Sequence, residues 1–305
     1  MQEEFANLLH EKLKKLEYSR FQNIKFCIDD IGLRFDGQVT KVLVLQEPPA
    51  VMPENYVTKD WEFFDFVILL SPWRSPAHGM NTLFFQPIER PKVIFKENEV
   101  NNNEISLVND FKFGAVTTSL YGWRLDLLRK LEKNGVKVKV FGPNWRISKT
   151  MEIRKRWAAT KRAFGRPNFK LRESWSSLFF RPKGYVGHSS DKLETLSKHE
   201  FTLVIENDRD SLTEKLFDAI FSGTKVFYRG PNLGDFAFLE GLCFQLPEDI
   251  EEAVRVILDR QQINWDQYRQ RAMNFVADPN SMLFCSPTNV SNQIAKFLEN
   301  CTQRP

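Results

Sequence analysis

The chain has 305 residues, 42% of them apolar and 27% charged, with a formal net charge of +4. That length and composition fit one large or two medium globular domains and exclude a disordered or collagen-like chain. No run approaches the ~20 apolar residues of a membrane span. Cys27, Cys243, Cys285 and Cys301 are scattered, and the histidines at 10, 78, 188 and 199 lack ligand spacing. Both patterns argue against a zinc site or a disulfide framework.

Residues 3–17 place Phe5, Leu8, Leu9, Leu13 and Leu16 on one face, an amphipathic helix suited to packing on a sheet or, alternatively, to lying on a membrane surface. The N-terminus is charged rather than signal-peptide-like, so the expected location is cytoplasmic. Strands are expected at 24–28, 42–45, 66–70 and 93–95. The second of these runs into Gln46-Glu47-Pro48-Pro49. Glu47 therefore stands at a strand's carboxyl end, before two prolines that restrict the backbone. A carboxylate held there suits a general base; a solvated turn residue is the alternative.

Residues 96–110 are polar and aperiodic and read as an interdomain linker. A strand-like run at 111–118 opens the next domain. A helix follows with Leu120, Trp123, Leu127, Leu128 and Leu131 on one stripe and Gly135 as its stop. Arg124 is a cation near that helix start, which a plain surface position explains equally well. Residues 146–172 hold ten Lys/Arg and one acid, a net +9 against +4 for the chain, which leaves −5 on the remainder. Aromatic residues interleave with these cations, so a solvated face, a nucleic acid and an anionic membrane surface at the inner face all stay open.

The strongest pattern is 201–230. Phe201 to Ile205 is an unbroken apolar run, as in a parallel strand covered on both faces. Polar residues begin at Glu206-Asn207. Leu212, Leu216, Phe217, Ile220 and Phe221 then form a helical stripe, and Gly223 stands where a helix-ending glycine would. Residues 225–228 read as the next strand, closing a βαβ unit. Lys215 in the first helical turn is electrostatically misplaced unless an anion lies nearby, and a phosphate would resolve the conflict. A capping box of Ser211 and Glu214 with a solvated Lys215 is the alternative.

These residues resemble the donor-binding motif of the α-1,3-fucosyltransferase family, glycosyltransferase family ten. The matches are Glu206-Asn207, Asp210, Thr213-Glu214-Lys215 and Gly223-Thr224, with Tyr185, Gly187, Lys192 and Leu196 upstream. The gap from Glu206 to Thr213 is shorter than in the family, and Ser211 replaces its usual Tyr. The resemblance implies an α/β fold of two Rossmann-like lobes facing each other across a cleft, the glycosyltransferase B architecture. The expected divisions are an acceptor lobe at 1–108, a nucleotide-sugar lobe at 109–286 and a C-terminal helix at 287–305 that crosses back to the first lobe.

It further implies inverting transfer of L-fucose from GDP-fucose to an oligosaccharide or glycolipid hydroxyl. An α-1,3 linkage to an N-acetylglucosamine-like or other sugar of a surface polysaccharide is the expectation. Glu47 would take the acceptor proton. Arg124 and Lys215 would stabilise charge on the departing GDP. Asn207 and Glu214 would bind donor oxygens, Glu206 would hold the loop, and Ser211 and Thr213 complete the donor set. No cofactor is required. Asp208-Arg209-Asp210 spells a metal motif of another glycosyltransferase class, but no metal site is assigned, although divalent ions stay open. Two rivals remain: the same fold with another nucleotide sugar, and a nonenzymatic nucleic-acid or anionic-surface binder built on 146–172.

Overall fold

The computed structural model describes residues 24–32, 39–69, 71, 80–81, 103–166, 168–284 and 287–302. The segments read as a helix at 3–17 and a strand at 93–95 lie outside them. The first sheet is parallel, in the order β1 (Ile24–Ile28), β2 (Thr40–Leu45), β3 (Phe66–Leu69), β4 (Met80–Asn81). Alternation along these strands sends Val42, Val44 and Ile68 to one face and Leu43, Leu45, Val67 and Leu69 to the other. Both faces are buried, which is why Val42–Leu45 and Phe66–Leu69 are apolar at every position rather than at every second one.

The second sheet comprises β5 (Ile105–Val108), β6 (Val138–Phe141), β7 (Tyr185–Gly187), β8 (Phe201–Ile205), β9 (Lys225–Arg229) and β10 (Phe244–Gln245). Its order is β10-β9-β8-β5-β6-β7, all parallel. This is the doubly wound arrangement of a Rossmann-type sheet, with the order reversing between β5 and β8. The helices are α1 (Tyr121–Lys133), α2 (Lys149–Ala163), α3 (Leu171–Trp175), α4 (Lys192–Ser197), α5 (Glu214–Phe221), α6 (Ile250–Leu258), α7 (Trp265–Ala277), α8 (Pro279–Phe284) and α9 (Pro287–Thr302). Helices α1 and α6 share one core with Leu107, Leu203 and Phe227; α5 shares the other with Val204, Val226 and Tyr228. Among the described residues, no helix is long and apolar enough to cross a membrane.

Two expectations are corrected. The stretch 96–110 is not linker throughout, because β5 lies inside it and pairs with both β6 and β8. Residues 111–118 form no strand of the sheet; they carry only an isolated bridge between Val116 and Phe169. The βαβ unit at 201–229 forms as its pattern indicates. All of β8 is buried, the stripe residues of α5 are buried, and Gly223 adopts a φ of +77° just past the helix end.

Helix α9 follows the second sheet in sequence but packs Val290, Ile294, Ala295 and Leu298 onto Val42, Val44 and Ile68 of the first. A tight seam also joins the lobes directly. Ala50 packs with Ala115, Val116, Tyr121 and Ala163. Its backbone N–H donates to Asp208 Oδ2 at 3.3 Å, and Ser71 Oγ donates to the Asp210 carbonyl.

Candidate active site

A cavity of about 380 Å³ opens between the lobes, at the carboxyl ends of β2, β5 and β8. It lies at the switch point of the second sheet, where open α/β sheets bind their ligands. Gly142, after β6, forms part of its floor with φ at +129°. A Cβ there would lie 2.2 Å from the Asn109 carbonyl oxygen, so glycine is what lets the 109–110 backbone approach.

The first lobe contributes Gln46, Glu47 and Pro48. Asp29 fixes this turn from below, in a left-handed conformation with φ at 52°. Its Oδ1 accepts from the backbone N–H of Gln46 at 2.8 Å and of Glu47 at 3.0 Å. Tyr56 Oη donates to the Glu47 carbonyl at 2.9 Å. The Glu47 carboxylate thus faces the cavity from an anchored backbone. Burial and the nearby Asp29 charge raise its pKa, against the opposing pull of Lys112 and Lys215. A carboxylate with a raised pKa is a better proton acceptor near neutral pH than an exposed one.

The second lobe contributes Asn207, Ser211, Thr213, Glu214 and Lys215. The helix is capped by Thr213, not by Ser211, so the capping box read from the sequence does not form. Thr213 is itself fixed by Glu206, whose carboxylate accepts from its N–H at 3.0 Å and its Oγ1 at 2.6 Å. Glu206 is fully buried and does not line the cavity. Lys215 Nζ donates to Asn207 Oδ1 at 3.0 Å and lies 3.6 Å from Glu206 Oε2. Burial lowers the Lys215 pKa, opposed by Glu206 and Glu214. Beside it, Lys192 Nζ lies 2.5 Å from Asp218 and 3.5 Å from Glu214. Burial alone would lower the pKa of Lys192, but these carboxylates outweigh it and raise the value.

Arg124 is not on the cavity wall. It is 2% exposed, and its guanidinium donates to Asn109 Oδ1 at 2.9 Å, the Ile205 carbonyl at 2.7 Å and the Glu206 carbonyl at 3.1 Å. The role inferred from the resemblance, direct contact with a pyrophosphate, does not fit this placement. Arg124 instead ties the ends of β5 and β8 together beneath the cleft. Asp208 is equally committed. Its Oδ2 accepts from Ala50 N and from Thr118 Oγ1 at 2.6 Å, and its Oδ1 accepts from Asp210 N at 3.0 Å. The Asp-x-Asp triplet is therefore a lobe-to-lobe clasp. Among the described residues, no group of three His, Cys, Asp or Glu is placed to hold a metal ion.

Sequence reasoning assigned no role to Lys112, His188 or Lys192, all of which line the cavity. Lys192 carried a signal, since it falls in the segment aligned with the family; Lys112 and His188 reach the site only through loop geometry.

No family model matches the chain. It is 24% identical over 153 residues to a CRISPR-associated endoribonuclease, Cas6 2, of Methanocaldococcus jannaschii, and that match covers 50% of this chain and 58% of the relative's length. Among solved structures, a trehalose-6-phosphate synthase superposes with a TM-score of 0.55 and 11% identity, over 97% of this chain and 78% of its own. Anabaena Alr3699/HepE, solved with UDP and glucose, gives a TM-score of 0.52 and 14% identity over 86% and 72%. An α1,3-fucosyltransferase gives 0.47 and 14% over 88% and 77%, too distant to bear on the family. Together with the two parallel sheets, the first two define the architecture: two Rossmann-like lobes across a cleft, as in glycosyltransferases of the B type.

Proposed function

We propose that the chain transfers a sugar from a nucleotide-sugar donor to an acceptor hydroxyl, and that the donor is GDP-fucose. The observation that carries the transfer reaction is the facing pair in one cleft: an anchored Glu47 with a raised pKa opposite the Lys215-bearing start of α5 at the sheet's switch point. The choice of fucose rests on the motif resemblance at 201–231. Neighbours of the same fold include one solved with UDP and glucose, so the same fold with a uridine donor is the alternative.

In the inverting reaction, Glu47 takes the proton of the acceptor hydroxyl as that oxygen attacks the anomeric carbon. The bond from that carbon to the phosphate oxygen breaks on the opposite face. Lys215 and Lys192 stabilise the charge that develops on the departing diphosphate, and Arg124 holds the loop ends that present Asn207. One structural neighbour is described as transferring with retention, so the anomeric configuration of the product, read by NMR, decides between the two courses.

The donor is tested by thermal shift against GDP, UDP, ADP, CMP and GDP-fucose. A ligand at a hundredfold excess over Kd stabilises by about 2.7 kcal/mol. Stabilisation by GDP and GDP-fucose alone, lost in Lys215→Ala, is the expected result. A uridine preference overturns the donor and keeps the reaction class. No response to any nucleotide overturns both. The similarity to an endoribonuclease makes RNA the ligand to test in that event: binding through 146–172 would weaken with salt and survive both Lys215→Ala and Glu47→Gln.

A further inference from the structure

A second chamber of about 290 Å³ adjoins the donor cleft, and Asp110 and Lys112 line both. We propose that it binds an anionic group, a phosphate or a carboxylate, carried by the acceptor. The inference deepens the sugar-transfer reading and rests on it.

One wall is a stripe of α2. Lys155, Ala158 and Arg162 are spaced three and four residues apart, so they share a helix face. Ala158 leaves room between two long cations. The opposite wall is Phe113, Tyr121 and the Ala50–Val51 backbone, which follows Glu47 in the first lobe by only a few residues. A ligand held here therefore adjoins, through Asp110 and Lys112, the cavity that Glu47 lines.

The charges favour an anion. Lys112, Lys155 and Arg162 line the chamber against one carboxylate, Asp110. That carboxylate is partly spoken for: Asn144 Nδ2 donates to its Oδ1 at 2.7 Å, and Lys112 Nζ lies 3.8 Å from its Oδ2. Lys155 Nζ donates to Asn144 Oδ1 at 2.9 Å, so the amide separates Lys155 from Asp110 rather than letting them pair. Arg162 makes one long bond, 3.4 Å, to the Val51 carbonyl. Among the described residues, neither Lys155 nor Arg162 forms an ion pair. A guanidinium with donors to spare suits a planar or tetrahedral oxyanion. Tyr121 lines this wall, and its hydroxyl is buried and without a hydrogen-bond partner among the described residues. Residues of the same basic segment that point outward, such as Trp157 and Phe164, take no part in the chamber.

The test titrates glucose 6-phosphate, glucuronate and glucose into the full chain at constant ionic strength, with the nucleotide selected by the thermal-shift panel held saturating. At least one anionic sugar is expected to bind tenfold or more tightly than glucose, and which one does so separates phosphate from carboxylate. The double variant Lys155→Ala/Arg162→Ala is expected to lose that preference while keeping the nucleotide response, which also reports that it is folded. Equal binding of the three sugars, or a preference untouched by the double variant, overturns the proposal. A preference that depends on Lys155 and Arg162 in a chain that binds no nucleotide keeps the anion site and sinks the donor reading instead.

Discussion

As the proposed base, Glu47 must be ionised to accept a proton, yet basic enough to hold one. Burial and Asp29 push its pKa above the ordinary carboxylate value, and Lys112 and Lys215 hold the rise in check. A base is active when deprotonated, so turnover should fall as pH drops through this raised pKa, with the acid limb above the range of an exposed glutamate. Lys112→Ala removes one of the restraining cations and should move that limb to still higher pH. Glu47→Gln should lower kcat by about 10²- to 10⁴-fold while leaving nucleotide binding intact. An acid limb that ignores Lys112, or a Gln variant turning over at the parental rate, would remove Glu47 from the reaction. At the same scale, Gly142→Ala forces a Cβ into the Asn109 carbonyl at 2.2 Å. Displacing that carbonyl disturbs the 109–112 wall, so the variant should weaken nucleotide binding at least tenfold; unchanged affinity would show that this floor is not part of the donor site.

One element that links the lobes is the β8–α5 loop, and its sequence conceals how it does so. Asp208 reads as half of a metal motif, yet its carboxylate accepts from Ala50, Thr118 and Asp210. Asp208→Ala would leave buried donors unpaired, a loss of about 1–3 kcal/mol measurable as a lower midpoint in urea, whereas any response to added manganese should be the same in both proteins. A variant as stable as the parent would refute the clasp. The unit around this loop was legible because each of its elements carries a full local signal: an apolar run for β8, a stripe for α5 and Gly223 at the stop. Strand β5 was not. Its Ser106 pairs with Thr202 at 2.6 Å inside the sheet, so a buried polar pair made a core strand resemble linker. Arg124 was misplaced for a related reason. Sequence shows a cation near a helix start, but only the fold shows its terminal guanidinium nitrogens donating to Asn109 and to the carbonyls of Ile205 and Glu206.

At the scale of the whole molecule, the two lobes answer to different parts of the chain. The second sheet draws its cover from α1 and α5, which are interleaved with its strands, and from α6 and α7, which directly follow its last strand. The first sheet borrows one cover from the far end: α9, about two hundred residues after β3 in the numbering, supplies Val290, Ile294, Ala295 and Leu298 to one face. The stability of the lobe that presents Glu47 is thus tied to the last helix. Leu298 is fully buried, and Leu298→Ala should cost about 2–5 kcal/mol. Where the loss appears is the sharper test. Hydrogen exchange should accelerate in β1, β2 and β3, whose buried face loses its partner, before it does in β8 and β9, which rest on α5 and α7. Nucleotide binding, proposed for the second sheet, should persist under conditions where the first has begun to open. Uniform acceleration across both sheets would mean that the lobes unfold as one unit, and that the seam at Ala50 and Asp208 couples them more strongly than α9 supports the first.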